Sequence, residues 1–319
     1  MGIRLLNSFI HTHCSNAIQV QSFKQLKQKI GDQRIAIDAS IYMYEFAKRG
    51  GNITDHFRNM IHLLHKYNIC PVFIFDGVSP DDKQELLMER KQTKQQAQET
   101  RRVIEEQIQT GEIQKTEAIN DTLQTLKIQS IKITHQQIRA VQSLLRKRQI
   151  IYITANGEAD EVCAQISLIP EFRIWGCMSN DTDMFLYGCP NIIRNVCWDN
   201  EGTCEIYNTH QILDILNINM DTFIQIMVLA GTDYCKHISS INIFKIYRYW
   251  DKYVLFCKHK NKKKDIPEVQ NHDPVLFYQW VFMYIKLEDE YTQTHTKIYD
   301  KIKKSHNDYN RHSYNICIA

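Results

Sequence analysis

Residues 179–188 read SNDTDMFLYG, which puts Asp181 and Asp183 two apart, directly after the apolar run FRIWGCM (172–178). Carboxylates crowded at a strand end raise one another's pKa unless a cation intervenes. Five further acids occupy comparable places. Asp38 closes RIAID (34–38), and Asp76 follows PVFIF (71–75). Glu158 and Asp160 open GEADEVCAQISLI (157–169), and Asp233 lies in LAGTDYC (229–235). Such hard oxygen donors suit Mg2+, which keeps several waters. Two ions roughly 3.5–4 Å apart can activate a water, bridge a phosphate oxygen and stabilise the leaving oxygen of an in-line displacement. No Ser-His-Asp or Cys-His arrangement stands out and there is no Walker-type glycine loop, so the inventory supports phosphodiester hydrolysis by metal-activated water.

Each acid alone has a plainer use. An Asp after a strand forms turns or caps helices, and acids at a helix start answer the macrodipole. A lone Asp-x-Asp also holds the metal of a nucleotide-sugar in glycosyltransferases. The ordered set, spread over a long basic helical insertion, is much harder to explain by chance.

The elements that must position these acids alternate. RIAID and PVFIF are strands, the second unbroken in apolar character as expected when both faces of a parallel sheet are covered. The stretch 54–68, with Thr54 or Asp55 as N-cap and Phe57, Ile61, Leu63 and Leu64 on one side, is helical. From Ser79 the chain turns rich in Glu, Gln, Lys and Arg, with high helix propensity but no wide apolar stripe, so it projects into solvent or packs loosely. Gly111 breaks it and a second helix runs from about Lys115 to Leu126. HQQIRAVQSLLRKR (135–148) is an amphipathic helix leading into the strand IIYIT (150–154). NIIRNVCWD and TCEIYN (191–208) read as a hairpin closed by Asn200–Gly202, and the remainder as mostly helical. The fold class is α/β: a mainly parallel sheet flanked by helices, with a helical arch insertion and a C-terminal helical helix-turn-helix lobe. Its parts are 1–79 and 135–235 for the sheet domain, 80–134 for the arch and 236–319 for the C-terminal lobe. In open parallel sheets ligands bind beyond the C-terminal strand ends, so all seven acids are expected to point into one crevice.

Bulk composition narrows the class. With 319 residues, 43% hydrophobic and 24% charged, the chain can bury a sizeable core. No apolar run approaches the roughly 18 residues that cross a bilayer, and MGIRLLNSFIHTH lacks a signal-peptide pattern; Leu6 argues against myristoylation. The expectation is a soluble intracellular protein without a membrane. Ten cysteines carry no CxxC, so they read as reduced core residues, and HTHC (11–14) as a helix end. A net charge of +3 is only mildly basic, but positive charge gathers in Lys83–Arg102, 144–148, 258–264 and 297–304. Basic arms around an acidic centre suit a polyanion held over metal, although such runs are also ordinary solvated faces.

With these residues in view, the chain resembles the flap endonuclease family of structure-specific 5′ nucleases. The match runs from MGI and IDASIYMYEF (37–46) through PVFIFDG (71–77), GEADEVCA (157–164) and SNDTDMFLYG to LAGTDYC, in the right order across roughly the first 235 residues. The resemblance implies the PIN-like 5′-nuclease fold and two Mg2+ ions, for which Mn2+ substitutes. Asp38, Asp76, Glu158 and Asp160 would serve mainly one ion, and Asp181, Asp183 and Asp233 mainly the other. Lys83 and Arg90, seven apart at the base of the arch, match a pair that faces the scissile phosphate, two helical turns apart on one face. Tyr44 matches an aromatic that stacks on the nucleotide beside the cut, and Gly2 would lie near the DNA junction; core packing and a solvated helix surface are the dull readings for Tyr44 and for the basic pair.

The departures are specific. Asp160 stands where the family has Glu, so it ligates through water or Glu161 takes over. CKHISSINIFK replaces a glycine-rich turn that holds a duplex phosphate beside K+, leaving Ser240, Asn242 and Lys245 as the DNA contacts there; Asn tolerates positive φ, which would preserve the turn. YNRHSYNICIA contains no recognisable sliding-clamp-binding peptide. The expectation is a monomeric Mg2+-dependent DNA nuclease, with Asp181, Lys83 and Arg90 central to catalysis, that cleaves 5′ flaps or branched DNA in replication, repair or recombination. The nucleus or a cytoplasmic site of viral replication is its expected location, since heavy Ile, Asn and Lys usage fits an AT-rich coding genome. The alternatives are a 5′→3′ exonuclease on RNA or DNA ends, and a non-catalytic DNA-binding member of the fold.

Overall fold

A computed structural model describes residues 2–78, 83–199, 201–232, 242–248, 250, 300–302 and 315–317. Its contacts gather into two units, one of residues 1–19, 181–192 and 206–312, the other of 20–180, 193–205 and 313–319. Asp233, Ser240 and most of the expected C-terminal lobe lie outside the described residues.

The strands are β1 (Ile18–Ser22), β2 (Arg34–Asp38), β3 (Cys70–Phe75), β4 (Tyr152–Thr154), β5 (Ile174–Met178), β6 (Asn191–Cys197), β7 (Thr203–Asn208) and β8 (Asn315–Cys317). They form one sheet in the order β1-β7-β6-β5-β2-β3-β4-β8. Its centre is parallel: β2 pairs with β3 and with β5, and β3 with β4. β2, β3 and β5 are buried along nearly their whole length, as expected of the apolar runs at the centre of a parallel sheet. Register sets the acids level. Asp38 lies beside Ile74, two residues before Asp76, while Ile37 lies beside Met178, so that Ser179 follows at the height of Asp38.

The helices of the larger unit are α2 (Phe23–Ile30), α3 (Ala39–Arg49), α4 (Ile53–Lys66), α5 (Gln84–Gln109), α6 (Glu117–Gln129), α7 (His135–Lys147) and α8 (Ala159–Leu168), with α1 (Leu6–His13) preceding them in the other unit. α8 packs on β2, β3 and β5, and α4 packs on β3 and α7. Around the chain leaving β6, Trp198 meets Phe23, Tyr42 and Phe46 edge-on at ring centroid distances of 5.8, 5.7 and 6.4 Å. α5 and α6 pack on each other, but among the described residues Ala97 is the one buried side chain of α5 and α6 has none. The helical insertion is therefore long and nearly coreless, as its composition implies. Gly111 takes φ +79° in the turn between its helices.

The other unit contains α1, α9 (Asp183–Leu186), α10 (Thr209–Leu216), α11 (Met220–Ala230) and α12 (Ile243–Arg248). α1 sits on α10 and α12, with Phe9 edge-on to Phe244 and Tyr247 at 5.4 and 5.2 Å. The HTHC stretch is a helix end: His11 meets the Tyr207 hydroxyl at 3.1 Å and Cys14 is the buried C-cap. Among the described residues no single helix is long and apolar enough to cross a membrane.

One local expectation needs correction. The N-cap of α4 is Asn52, whose Oδ1 accepts from the Thr54 amide at 2.9 Å, rather than Thr54 or Asp55. β1 and α2 went unread because β1 is a half-buried edge strand of polar and apolar residues, with Val20 exposed. Asn242 caps α12, accepting from the Lys245 amide at 3.1 Å.

Candidate metal-dependent nuclease site

In the larger unit, Asp38 is both the last residue of β2 and the N-cap of α3, and is 5% exposed. Its Oδ1 accepts from the Ile41 amide and its Oδ2 from the Ser179 hydroxyl, each at 3.1 Å. Asp76 leaves the end of β3. Its Oδ1 accepts from the Ala159 amide, the first of α8, at 2.9 Å, and its own amide donates to Ser40 Oγ at 3.0 Å. Asp76 and Glu158 thus meet at one helix N-terminus, where the macrodipole favours negative charge. Burial is the largest influence on Asp76 and pushes its carboxyl upward. Glu158 adds to the rise, and the Ala159 amide, Ser40 and Lys83 oppose it.

Glu158 meets the internal cation of this group. Lys83, 4% exposed, brings its Nζ to 2.7 Å from both carboxylate oxygens. A pair this buried is costly to break: removing one partner costs about 3–5 kcal/mol, because the other charge stays behind. Asp160, in the first turn of α8, accepts from the Glu161 amide at 2.7 Å, whereas Glu161 Oε1 is engaged by Gln165 at 3.2 Å. Tyr44, on α3, is 38% exposed, and the Lys94 ammonium lies 4.9 Å from its ring centroid. Lys83 caps α5, and Leu87, Arg90 and Lys94 follow at helical spacings of four, three and four, which puts all four on one face. That face runs from Glu158 at one end to Tyr44 at the other. Sequence reasoning singled out Lys83 and Arg90 on it and missed Lys94; the same spacing carried one step further finds it.

In the other unit, Asp181 and Asp183 flank Thr182. The Asp183 amide donates to Asp181 Oδ1 at 3.1 Å, and the buried Ile3 amide donates to Thr182 Oγ1 at 2.7 Å. Asp183 is 1% exposed. Gly2 lies against this turn with φ +86°: a Cβ there would meet Thr182 Oγ1 at 2.2 Å, Asp181 Oδ1 at 2.5 Å and Asp183 Oδ1 at 2.8 Å. The N-terminal strip therefore demands glycine for conformation and for space. Among the described residues no three Asp, Glu, His or Cys side chains stand close enough together to hold an ion. Lys245, on α12, is exposed.

Comparison with known proteins follows this geometry. Residues 1–97 match the XPG N-terminal domain and residues 149–233 the XPG I-region. Flap endonuclease 1 of Cryptosporidium muris (strain RN66) is 30% identical over 318 residues, covering 92% of this chain and 62% of that protein. Flap endonuclease 1 of Enterocytozoon bieneusi (strain H348) is 29% identical over 269 residues, covering 79% and 70%. The chain spans about three-fifths of the length of the first of these curated relatives. Among solved structures, the catalytic core of Rad2 in complex with DNA substrate aligns with a TM-score of 0.60 at 25% identity, covering 92% of this chain and 85% of that one. Flap endonuclease-1 from Methanococcus jannaschii shares the fold, with a TM-score of 0.52 at 21% identity and coverage of 92% and 95%.

Proposed function

The chain belongs to the XPG-type flap endonuclease family, and we propose that it is a divalent-metal-dependent 5′ nuclease that hydrolyses phosphodiester bonds of branched DNA, 5′ flaps foremost. One observation carries this reading. The two matched regions contain all seven carboxylates, and those of the larger unit that the structure describes stand at parallel strand ends and at the N-terminus of α8.

By the chemistry of its donors, though not by their spacing among the described residues, the set suits a hard cation. Asp38, Asp76 and Glu158 offer carboxylate oxygens, which keep lone pairs beyond the bonds they accept, and Ser40 and Ser179 hydrogen-bond to this group. Asp38, Asp76, Glu158 and Asp160 would hold one Mg2+ and Asp181, Asp183 and Asp233 the other, with Mn2+ as a substitute. Such ions supply an activated water and neutralise charge at the phosphate. Lys83 and Arg90 face the substrate from α5, and Lys83 exchanges Glu158 for the scissile phosphate when DNA is bound. Tyr44 stacks on the nucleotide beside the cut, α5 and α6 clamp the single strand, and Lys245 contacts duplex phosphate.

The test is a 5′-labelled flap incubated with Mg2+ or with EDTA. Metal-dependent release of the intact flap is expected, and Asp181→Ala should abolish it while leaving flap binding largely intact. Cutting by that variant at the wild-type rate would overturn the site. Digestion confined to RNA or free ends would make the protein an exonuclease instead, and binding without cutting a non-catalytic member of the fold.

A further inference from the structure

The residue that enters the Asp181–Asp183 turn is held by more bonds than any motif requires. Ser179 and Asn180 leave β5 within the larger unit. Ser179 is fully buried; its amide donates to the Ile193 carbonyl at 3.1 Å and its hydroxyl to Asp38. Asn180 is gripped on every polar atom of its side chain and on its carbonyl. Its Nδ2 donates to Glu45 Oε1, and its Oδ1 accepts from the Asn195 amide at 2.9 Å. Its carbonyl accepts from Arg194 Nη2 at 2.6 Å. Two features of this bracket are unusual. Arg194 is a guanidinium 3% exposed between Ile193 and Asn195 of β6, and burying a charge is costly. Asn195 takes φ +49°, the left-handed region that Asn tolerates better than most residues with a side chain. The bracket also closes on α3, whose N-cap is Asp38 and whose second turn carries Glu45. The segment from which Asp181 departs is thus indexed twice against one helix, by Ser179 at its start and Asn180 two turns on.

We propose that Asn180, locked by Glu45, Arg194 and Asn195, is the positioning residue of the Asp181–Asp183 pair, and that the Glu45–Asn180 hydrogen bond sets the affinity of that pair for a divalent ion. The inference rests on the metal-dependent reading above. Its logic extends that of outer-shell partners, whose loss costs about 10- to 100-fold in metal affinity, from a bond made to the ligand itself to bonds made to the residue that precedes it in the chain. Asn180 needs to be an amide: one end must donate to a carboxylate while the other accepts from a backbone amide.

The test is Mn2+ binding to the full chain without DNA, by isothermal titration, with thermal unfolding of each variant alongside. Asn180→Asp is isosteric and keeps an acceptor for Asn195, but turns a carboxylate onto Glu45. It should weaken one of the two Mn2+ binding events about tenfold or more. Glu45→Gln alone should change little, because an amide oxygen still accepts from Asn180. In the double variant the amide introduced at 45 donates to the carboxylate introduced at 180, with the wild-type net charge, and affinity should return to within about threefold of wild type. A purely structural role predicts instead a loss that is spread over both events and follows the thermal stability of the variants. The proposal is overturned if the double variant binds as poorly as Asn180→Asp, or if Asn180→Asp binds as wild type. Should Asn180→Asp fail to fold, Asn180→Ser removes the contacts without adding charge and must show the same selective loss. A wild-type chain that binds no Mn2+ would instead overturn the metal-dependent reading, and this inference with it.

Discussion

The two ends of α5 are built from similar residues and directed to opposite uses. At the N-terminal end Lys83 is buried on Glu158, which lies 75 positions away, and Lys94 covers the Tyr44 ring. Further along, Arg101 pairs with Glu105, and Arg102 with Glu99 and Glu106, at 2.7–2.8 Å. These partners are one turn away on the same helix. The first set faces other elements and loses its partners only when something displaces it. The second set is self-neutralised and largely exposed, and pairs of that kind contribute little. A basic run read as one patch in the sequence is therefore two regions: a proximal face that can present charge to a polyanion, and a distal one whose charge its own acids already answer.

The largest effect that would sharpen this contrast lies at Lys83. Lys83→Ala should slow flap cleavage about 100-fold, the scale of losing a preorganised electrostatic contact to the developing charge, while flap affinity changes within about threefold. A loss confined to affinity would assign Lys83 to DNA binding alone. In EDTA the same variant should also be destabilised, because Glu158 keeps its buried charge without the ammonium.

Asp76 provides the next test, through pH. Burial raises its carboxyl, so the folded chain holds that proton more tightly than the unfolded one. Stability of the metal-free protein should then fall as pH climbs from the ordinary Asp range through the raised value. Asp76→Asn should remove this slope and be more stable than wild type at neutral pH in EDTA, measured by urea unfolding across pH 4–8. Parallel curves for the two proteins would show that Asp76 is not the titrating group. The distal helix behaves in the opposite sense: a hydrogen bond from Arg102 holds the Glu99 carboxyl below its usual range.

What the sequence disclosed follows the same division between local and distant causes. Asp38 and Asp76 were legible because parallel strands write themselves as apolar runs and the residue after each run must turn. The register that sets Ser179 level with Asp38 was not, because β2 and β5 pair through a shift between Arg34 and Ile35. The insertion was legible too, since a helix former without an apolar stripe has nothing to bury. Partners separated by long stretches of chain were not. Nothing near Lys83 points to Glu158, and nothing near Asn180 points to Glu45, 135 positions earlier. One signal was available and unused: Arg194 interrupts the apolar run of β6, and a charge there has to be either exposed or answered. β8 left no trace, because it is only three residues long. Asn242, read in the sequence as a substitute for glycine, also caps α12, since a short side-chain acceptor suits that position.

Lys94→Ala tests the proximal face at lower amplitude. A cation over an exposed ring contributes about 0.5–1 kcal/mol. If Lys94 moves from Tyr44 to a phosphate, flap affinity should drop about two- to fivefold, and the salt dependence of binding should lose about one counterion. A double-mutant cycle with Tyr44→Leu separates the ring contact from the phosphate contact, because only the former is shared by both residues.

Arg102→Ala should do least, and this is the arm on which the comparison can break. If the distal cations are answered by Glu99 and Glu106, removing one leaves flap affinity within about twofold of wild type and the salt slope unchanged. An affinity loss equal to that of Lys94→Ala would mean that DNA pulls Arg102 away from its own helix, and the whole insertion would then act as one basic surface. Adding Glu99→Gln and Glu106→Gln to the wild type sharpens the point. Neutralising those acids unmasks Arg102, so flap binding should tighten at low salt and return to the wild-type value as salt is raised. A charge already directed at DNA could not be unmasked in this way.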